Sequence, residues 1–240
     1  MVEEMSRDHI KLNGNVEAEL CRTIDIGAGC GCAYPEYVAD DIVSRSNRIH
    51  QKLKAAMEQL PSWKGILAQR PRAAVFSVAG HRVAVTHGDE RSLGGWNCSG
   101  EALSRPDRQH SLFLWLERMD LEVLATTHTC APAVLAQRNR AVINNGSAGM
   151  PNFSGKLFGL ATRIADTPNK DALYRTSWRN LYVEALPIPY HHEAFLEWFD
   201  GIWPSGSPAE QSYRDRIVRG PAFSIKEALL GGFSPNMHQT

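Results

Sequence analysis

Leu121-Glu122-Val123-Leu124-Ala125-Thr126-Thr127-His128-Thr129-Cys130-Ala131-Pro132 runs from an apolar stretch straight into a polar turn. The pattern recurs twice. Ala141 to Ile143 opens into Asn144-Asn145-Gly146-Ser147-Ala148-Gly149-Met150-Pro151, and Arg82 to Thr86 opens into His87-Gly88-Asp89. Short apolar runs bounded by turn residues read as strands, and Gly88 permits a sharp change of direction after the last of them. In open α/β sheets, ligands bind at the loops beyond strand ends. Of nine histidines, only His87 and His128 stand at such an end.

The flanking sequence fits the same picture. Ala73 to Val78 and Arg82 to Thr86 form a hairpin about Ala79-Gly80-His81. Apolar residues spaced by three and four predict a helix over Asp40 to Leu60, stopped by Pro61. A second helix is predicted from Pro106 to Arg118, after the flexible loop Gly94 to Gly100. Later strands fall at Leu160 to Ala165 and Asn180 to Leu186, and a helix at His192 to Phe199. The sequence thus divides into a main domain over residues 1–190 and a C-terminal helix with a loosely packed, Gly/Pro-punctuated tail over 191–240.

Composition narrows the function classes. The chain has 240 residues, 43% of them hydrophobic, which suits a globular core. Lys plus Arg and Asp plus Glu both number 26, so there is no basic excess of the kind a general nucleic-acid binder carries. No apolar run approaches the roughly 18–20 residues that cross a bilayer. Residues 1–8 are acidic and polar, unlike a secretory signal. Five cysteines without scaffold spacing point to a reduced, cytoplasmic protein.

A neutral imidazole ligates Zn, Fe, Ni or Mn, and strand ends hold it rigidly. Asn15, in Asn13-Gly14-Asn15-Val16-Glu17, adds a carboxamide oxygen. In order, Gly14-Asn15-Val16-Glu17, Val85-Thr86-His87-Gly88-Asp89, Thr127-His128-Thr129-Cys130 and Asn144-Asn145-Gly146-Ser147 resemble the later blocks of the calcineurin-like metallophosphoesterase family. The resemblance covers about residues 13–165. It implies a four-layer α/β/β/α sandwich with metal at one edge, one or two divalent ions (Mn, Fe or Zn), and a small phosphate ester as substrate. It implies Asn15, His87 and His128 as metal ligands, with Cys130 at the position of a further histidine. Asp89 and Glu17 are candidates to orient the ligands from behind, or to shape turns.

The family's Asp-x-His and Gly-Asp blocks have no counterpart before Asn15. The resemblance therefore implies a chain lacking its first strand and first ligand block. Hydrolysis of a phosphomonoester or phosphodiester is the leading expectation, impaired by the missing carboxylates. A non-catalytic remnant acting as a binding or interaction module is the alternative. Cys30-Gly31-Cys32, with Cys21 upstream, lacks the second pair usual in structural zinc sites and reads as free thiols or a redox dithiol. Arg91 is a phosphate-binding candidate or a solvated surface charge.

Overall fold

The structure, a computed structural model, describes residues 9–22 and 29–236. The acidic start read above, residues 1–8, lies outside them. Among the described residues, three helices precede the first sheet: α1 (Asn15–Leu20), α2 (Asp40–Glu58) and α3 (Pro61–Ala68). The helix expected over Asp40 to Leu60 stops at Glu58, and Pro61 opens α3. Proline suits a first helical position, where its missing N–H would have no partner anyway.

Strands β1 (Ala73–Val78) and β2 (His81–Thr86) form the expected antiparallel hairpin. Ala79 and Gly80 close it at φ 53° and 85°, the two-residue turn whose twist matches the strands. The chain then crosses through α4 (Gly100–Leu103) and α5 (Pro106–Arg118) to β3 (Val123–Thr126), which pairs parallel to β2. β4 (Pro132–Gln137) and β5 (Arg140–Asn145) form a second hairpin, and β5 pairs parallel to β3. The second sheet contains β6 (Gly159–Ala165), β7 (Tyr174–Trp178) and β8 (Leu181–Ile188). Helices α6 (His192–Ile202), α7 (Asp215–Arg219) and α8 (Ile225–Ala228) follow.

Residues 191–236 are not loosely packed, which corrects the sequence reading for that part of the tail. β9 (Leu229–Gly231) completes a six-stranded sheet of order β1-β2-β3-β5-β4-β9. β10 (Ser234–Pro235) completes a four-stranded sheet of order β10-β7-β8-β6. Ala228 and Phe233 are buried in the core between the sheets, while Ile217 packs with Phe199 and Ala209 in a separate cluster.

Alternation along the central strands builds the core. Val123, Ala125, Val134 and Ile143 pack with Leu160, Tyr174, Leu181 and Val183 of the second sheet. The intervening Leu124, Val142 and Ala133 pack with Leu103, Leu112 and Leu116 of α4 and α5. A sheet covered on both faces needs continuous apolar runs, which is why β3 and β5 read as unbroken hydrophobic stretches. Each fully buried Leu or Ile side chain contributes about 1.5–3 kcal/mol. The result is a mixed α/β fold of two sheets and flanking helices. Among the described residues, no helix is long and apolar enough to cross a membrane.

Candidate functional site

Parallel pairing of β2 with β3, in register from Val83–Val123 to Val85–Ala125, brings their C-terminal ends to one edge. The Thr127 N–H donates to the His87 carbonyl at 3.0 Å, and Thr126 Oγ1 donates to the same carbonyl at 2.8 Å. These bonds tie the two strand-end loops together. They set His87 Nε2 3.1 Å from His128 Nδ1, with ring centroids 5.0 Å apart.

His128 and Cys130 adopt φ of 58° and 57°, the left-handed region that costs a side-chain-bearing residue about 1–3 kcal/mol. A buried asparagine holds the turn in place. Asn144 Nδ2 donates to Thr129 Oγ1 at 2.8 Å and to the Cys98 carbonyl at 2.9 Å, while its Oδ1 accepts the Gly146 N–H at 3.0 Å. Asn144 is fully buried, so each of these bonds is made in a low dielectric. Strain at a strand-end loop, clamped from behind, marks a site in which geometry is fixed before any ligand arrives.

Both imidazoles are neutral at pH 7. Burial lowers the His87 pKa, opposed by the charge of Glu17. Burial, then the neighbouring His87, pushes His128 down to about 4, against weaker opposition from a backbone hydrogen bond at Gly94 and from the charge of Asp89. Trp96 packs edge-on against His128, centroids 5.8 Å apart, and helps to exclude water.

Asn15 opens α1 beside this pair. A Cβ on Gly14 would lie 3.0 Å from His87 Nδ1, so the Gly14 backbone presses on the His87 ring and only glycine fits without displacement. Asn15 is buried. Its Nδ2 donates to the Cys30 carbonyl at 2.7 Å and to Cys32 Sγ at 3.2 Å, which leaves Oδ1 as the atom it can offer to a cation.

The remaining candidates are placed differently. Cys130 Sγ donates to the His128 carbonyl at 3.4 Å, and burial raises its pKa against the opposing charge of Arg216, which keeps it a thiol. It does not complete a metal-holding group with the histidines: among the described residues no three His, Cys, Asp or Glu side chains form one. Asp89 does not reach a histidine ring either. Its carboxylate accepts the N–H groups of Arg91 and Ser92 at 2.8 Å, and Nδ2 of Asn97 at 2.9 Å, closing the loop between β2 and α4. Glu17 accepts the Gly14 N–H at 3.0 Å and caps α1 instead of bonding the Asn15 side chain. In each case nearby backbone N–H groups satisfy the carboxylate.

Three features have a placement that the sequence does not announce, although Cys30, Cys32 and Arg91 stand out in it. The Cys30–Cys32 turn lies under Asn15, and the two sulfurs share a hydrogen bond at 2.9 Å. That bond lowers Cys30 to about 5 and raises Cys32. Second, Arg22, Arg72 and Arg91 line a cavity of about 510 Å³ together with Asn15 and Gly94. Third, Glu90 and Arg108 pair behind the loop.

Would a divalent ion suit these residues? With metal–nitrogen distances near 2.0–2.1 Å, two imidazole nitrogens on one ion stand about 3–3.4 Å apart. The observed 3.1 Å falls in that range. Neutral imidazoles and an amide oxygen suit borderline ions such as Zn and Fe better than Mg or Ca. The donor set fits.

Comparison with solved structures shows the same two-sheet α/β fold elsewhere. The chain is similar to the hypothetical protein PH1004 from Pyrococcus horikoshii OT3, with 11% identity and a TM-score of 0.54 over 88% of this chain and 73% of that one. It is also similar to a metallophosphoesterase from Sphaerobacter thermophilus, with 12% identity and a TM-score of 0.51 over 91% of this chain and 80% of that one. At such identity the likeness establishes the fold. No protein-family model and no curated protein matches the sequence.

Proposed function

We propose that the chain is a metal-dependent phosphoester hydrolase in which His87, His128 and the Asn15 carboxamide oxygen hold a divalent ion. The observation that carries this reading is the pair of neutral, buried imidazoles whose nitrogens stand 3.1 Å apart at the ends of adjacent parallel strands. A bound ion would polarise a phosphoryl oxygen and acidify a coordinated water. The chain's own residues do the rest. Arg22, Arg72 and Arg91 outnumber Glu19, which pairs with Arg22 at 2.7 Å, so the adjoining cavity keeps a net positive lining that draws in a phosphate anion. Trp96 narrows solvent access to His128, and a drier site strengthens each charge interaction in it. The substrate class is a small phosphomonoester or phosphodiester.

One observation favours a second reading, a binding module without turnover. Both nearby carboxylates, Glu17 and Asp89, are taken up by hydrogen-bond donors of their own loops. The ligand set then carries no negative charge, which weakens its hold on a hard cation. The test is turnover of bis-p-nitrophenyl phosphate and p-nitrophenyl phosphate with Mn²⁺ or Zn²⁺, against a His87→Ala/His128→Ala control. Turnover above the control supports the hydrolase. Metal binding with turnover equal to the control supports the binding module. Neither binding nor turnover overturns both.

A further inference from the structure

We propose that Cys30 and Cys32 form a reversible dithiol–disulfide site that governs the Asn15 amide. The two sulfurs stand 2.9 Å apart across a single intervening residue. Gly31 makes this approach possible: its φ of 73° lies in the left-handed region, and a Cβ there would strike the Glu19 side chain at 2.6 Å. A covalent S–S bond needs the sulfurs to close by about 0.9 Å. The turn is therefore set for the bond with little backbone movement.

The surroundings suit a reagent arriving from one side. Cys30 is buried and backed by Ser46, whose Oγ donates to its sulfur at 3.3 Å, and by Tyr34, which donates to Ser46 at 2.7 Å. Cys32 is partly exposed, and Gly31 between them lines the arginine-bearing cavity. A small neutral oxidant such as a hydroperoxide can enter there.

The chemistry balances with a hydroperoxide as the two-electron oxidant. The thiolate of one cysteine attacks a peroxide oxygen, the O–O bond breaks, and sulfenic acid forms. The hydroxide leaving group takes up the proton that the thiol lost and becomes water. The second thiol then attacks the sulfenic sulfur, forming the S–S bond, and the oxygen leaves as a second water. Thiol–disulfide exchange with a dithiol reductant restores both thiols.

The site's position gives this step a consequence. Both partners of Asn15 Nδ2, the Cys30 carbonyl and the Cys32 sulfur, belong to this turn. Closing the disulfide pulls the Cys32 sulfur toward Cys30 and away from the amide, so the carboxamide loses the support that aims Oδ1. Disturbing a group that orients a metal ligand typically costs 10–100-fold in metal affinity. This coupling rests on the metal reading proposed above; the disulfide itself does not.

The experiment treats the purified full chain with hydrogen peroxide, alkylates free thiols, and reads the peptides by mass. The expected product is a peptide spanning Cys30 and Cys32, lighter by two hydrogen atoms and unalkylated at both, reverting with dithiothreitol. Alkylation of both cysteines after peroxide, or separate sulfinic acids, overturns the disulfide. Mn²⁺, which disfavours thiolate ligands, is then titrated into the reduced and oxidised chains. The reduced form is expected to bind about tenfold more tightly or better, while a Cys32→Ala chain binds equally before and after peroxide. Equal affinity of the two wild-type forms overturns the coupling. No Mn²⁺ binding by either form overturns the coupling; if Zn²⁺ also fails to bind the reduced chain, the metal reading falls with it, and the mass measurement still decides the disulfide alone.

Discussion

Glu90 and Arg108 meet in a bidentate ion pair, with both guanidinium–carboxylate distances at 2.7 Å and side chains only 2% and 6% exposed. Arg108 Nε also donates to the Asn97 carbonyl at 2.9 Å. The pair fastens the loop after His87 to helix α5.

Removing one partner strands the other charge in a low-dielectric interior. Arg108→Ala is expected to destabilise the fold by about 3–5 kcal/mol, read from urea denaturation midpoints. The double variant Glu90→Gln/Arg108→Met, which leaves no buried charge, is expected to lose less than Arg108→Ala alone. A loss below about 1 kcal/mol for Arg108→Ala would mean that the loop is held by other contacts.

Acid weakens the fold through His128. Its folded pKa near 4 lies below the ordinary 6.5, so between those values the unfolded chain holds a proton that the folded chain refuses. Stability is therefore retained above pH 6.5 and lost as pH falls toward 4, by at most about 3 kcal/mol. His128→Gln is expected to flatten this slope in denaturant titrations across pH 4 to 7. An unchanged slope would place the acid sensitivity elsewhere.

Gly14 tests how closely the first loop approaches the imidazole. Gly14→Ala puts a methyl 3.0 Å from the His87 ring, so either the ring or α1 must move. The expected result is a loss of about 1–3 kcal/mol in thermal or chemical melts, together with weakened metal binding. Ala18→Gly, farther along α1, is expected to lower stability without weakening metal binding.

Much of the frame was legible because its signals are local. The β1–β2 hairpin carries Gly80 at its turn, α5 carries Pro106 at its first position, and β3 and β5 are buried on both faces. The β4–β5 hairpin was not legible. It turns on Arg138 and Asn139 with φ of 46° and 62°, a two-residue turn usually announced by glycine and here built without one. β7, Tyr-Arg-Thr-Ser-Trp, has too polar a sequence to read as a strand and forms through pairing with β8. At the site, His87 and His128 were recognisable because each ends an apolar run. The partners of Asp89 and Glu17 were not, since a carboxylate bonds whichever N–H groups the loop presents. Nothing in Cys30-Gly31-Cys32 foretold that it would lie under Asn15, fifteen or more residues away in the chain.

Calorimetric titration of the reduced chain with Zn²⁺ and Mn²⁺ tests the central claim most directly, with His87→Ala and His128→Ala run alongside. Zn²⁺ also reports on the thiols, so Mn²⁺ decides attribution to the imidazoles. The account predicts saturable binding by the wild-type chain that falls at least about tenfold in each histidine variant while both remain folded. Failure of the wild-type chain to bind either ion, or binding that survives both substitutions unchanged, would contradict it.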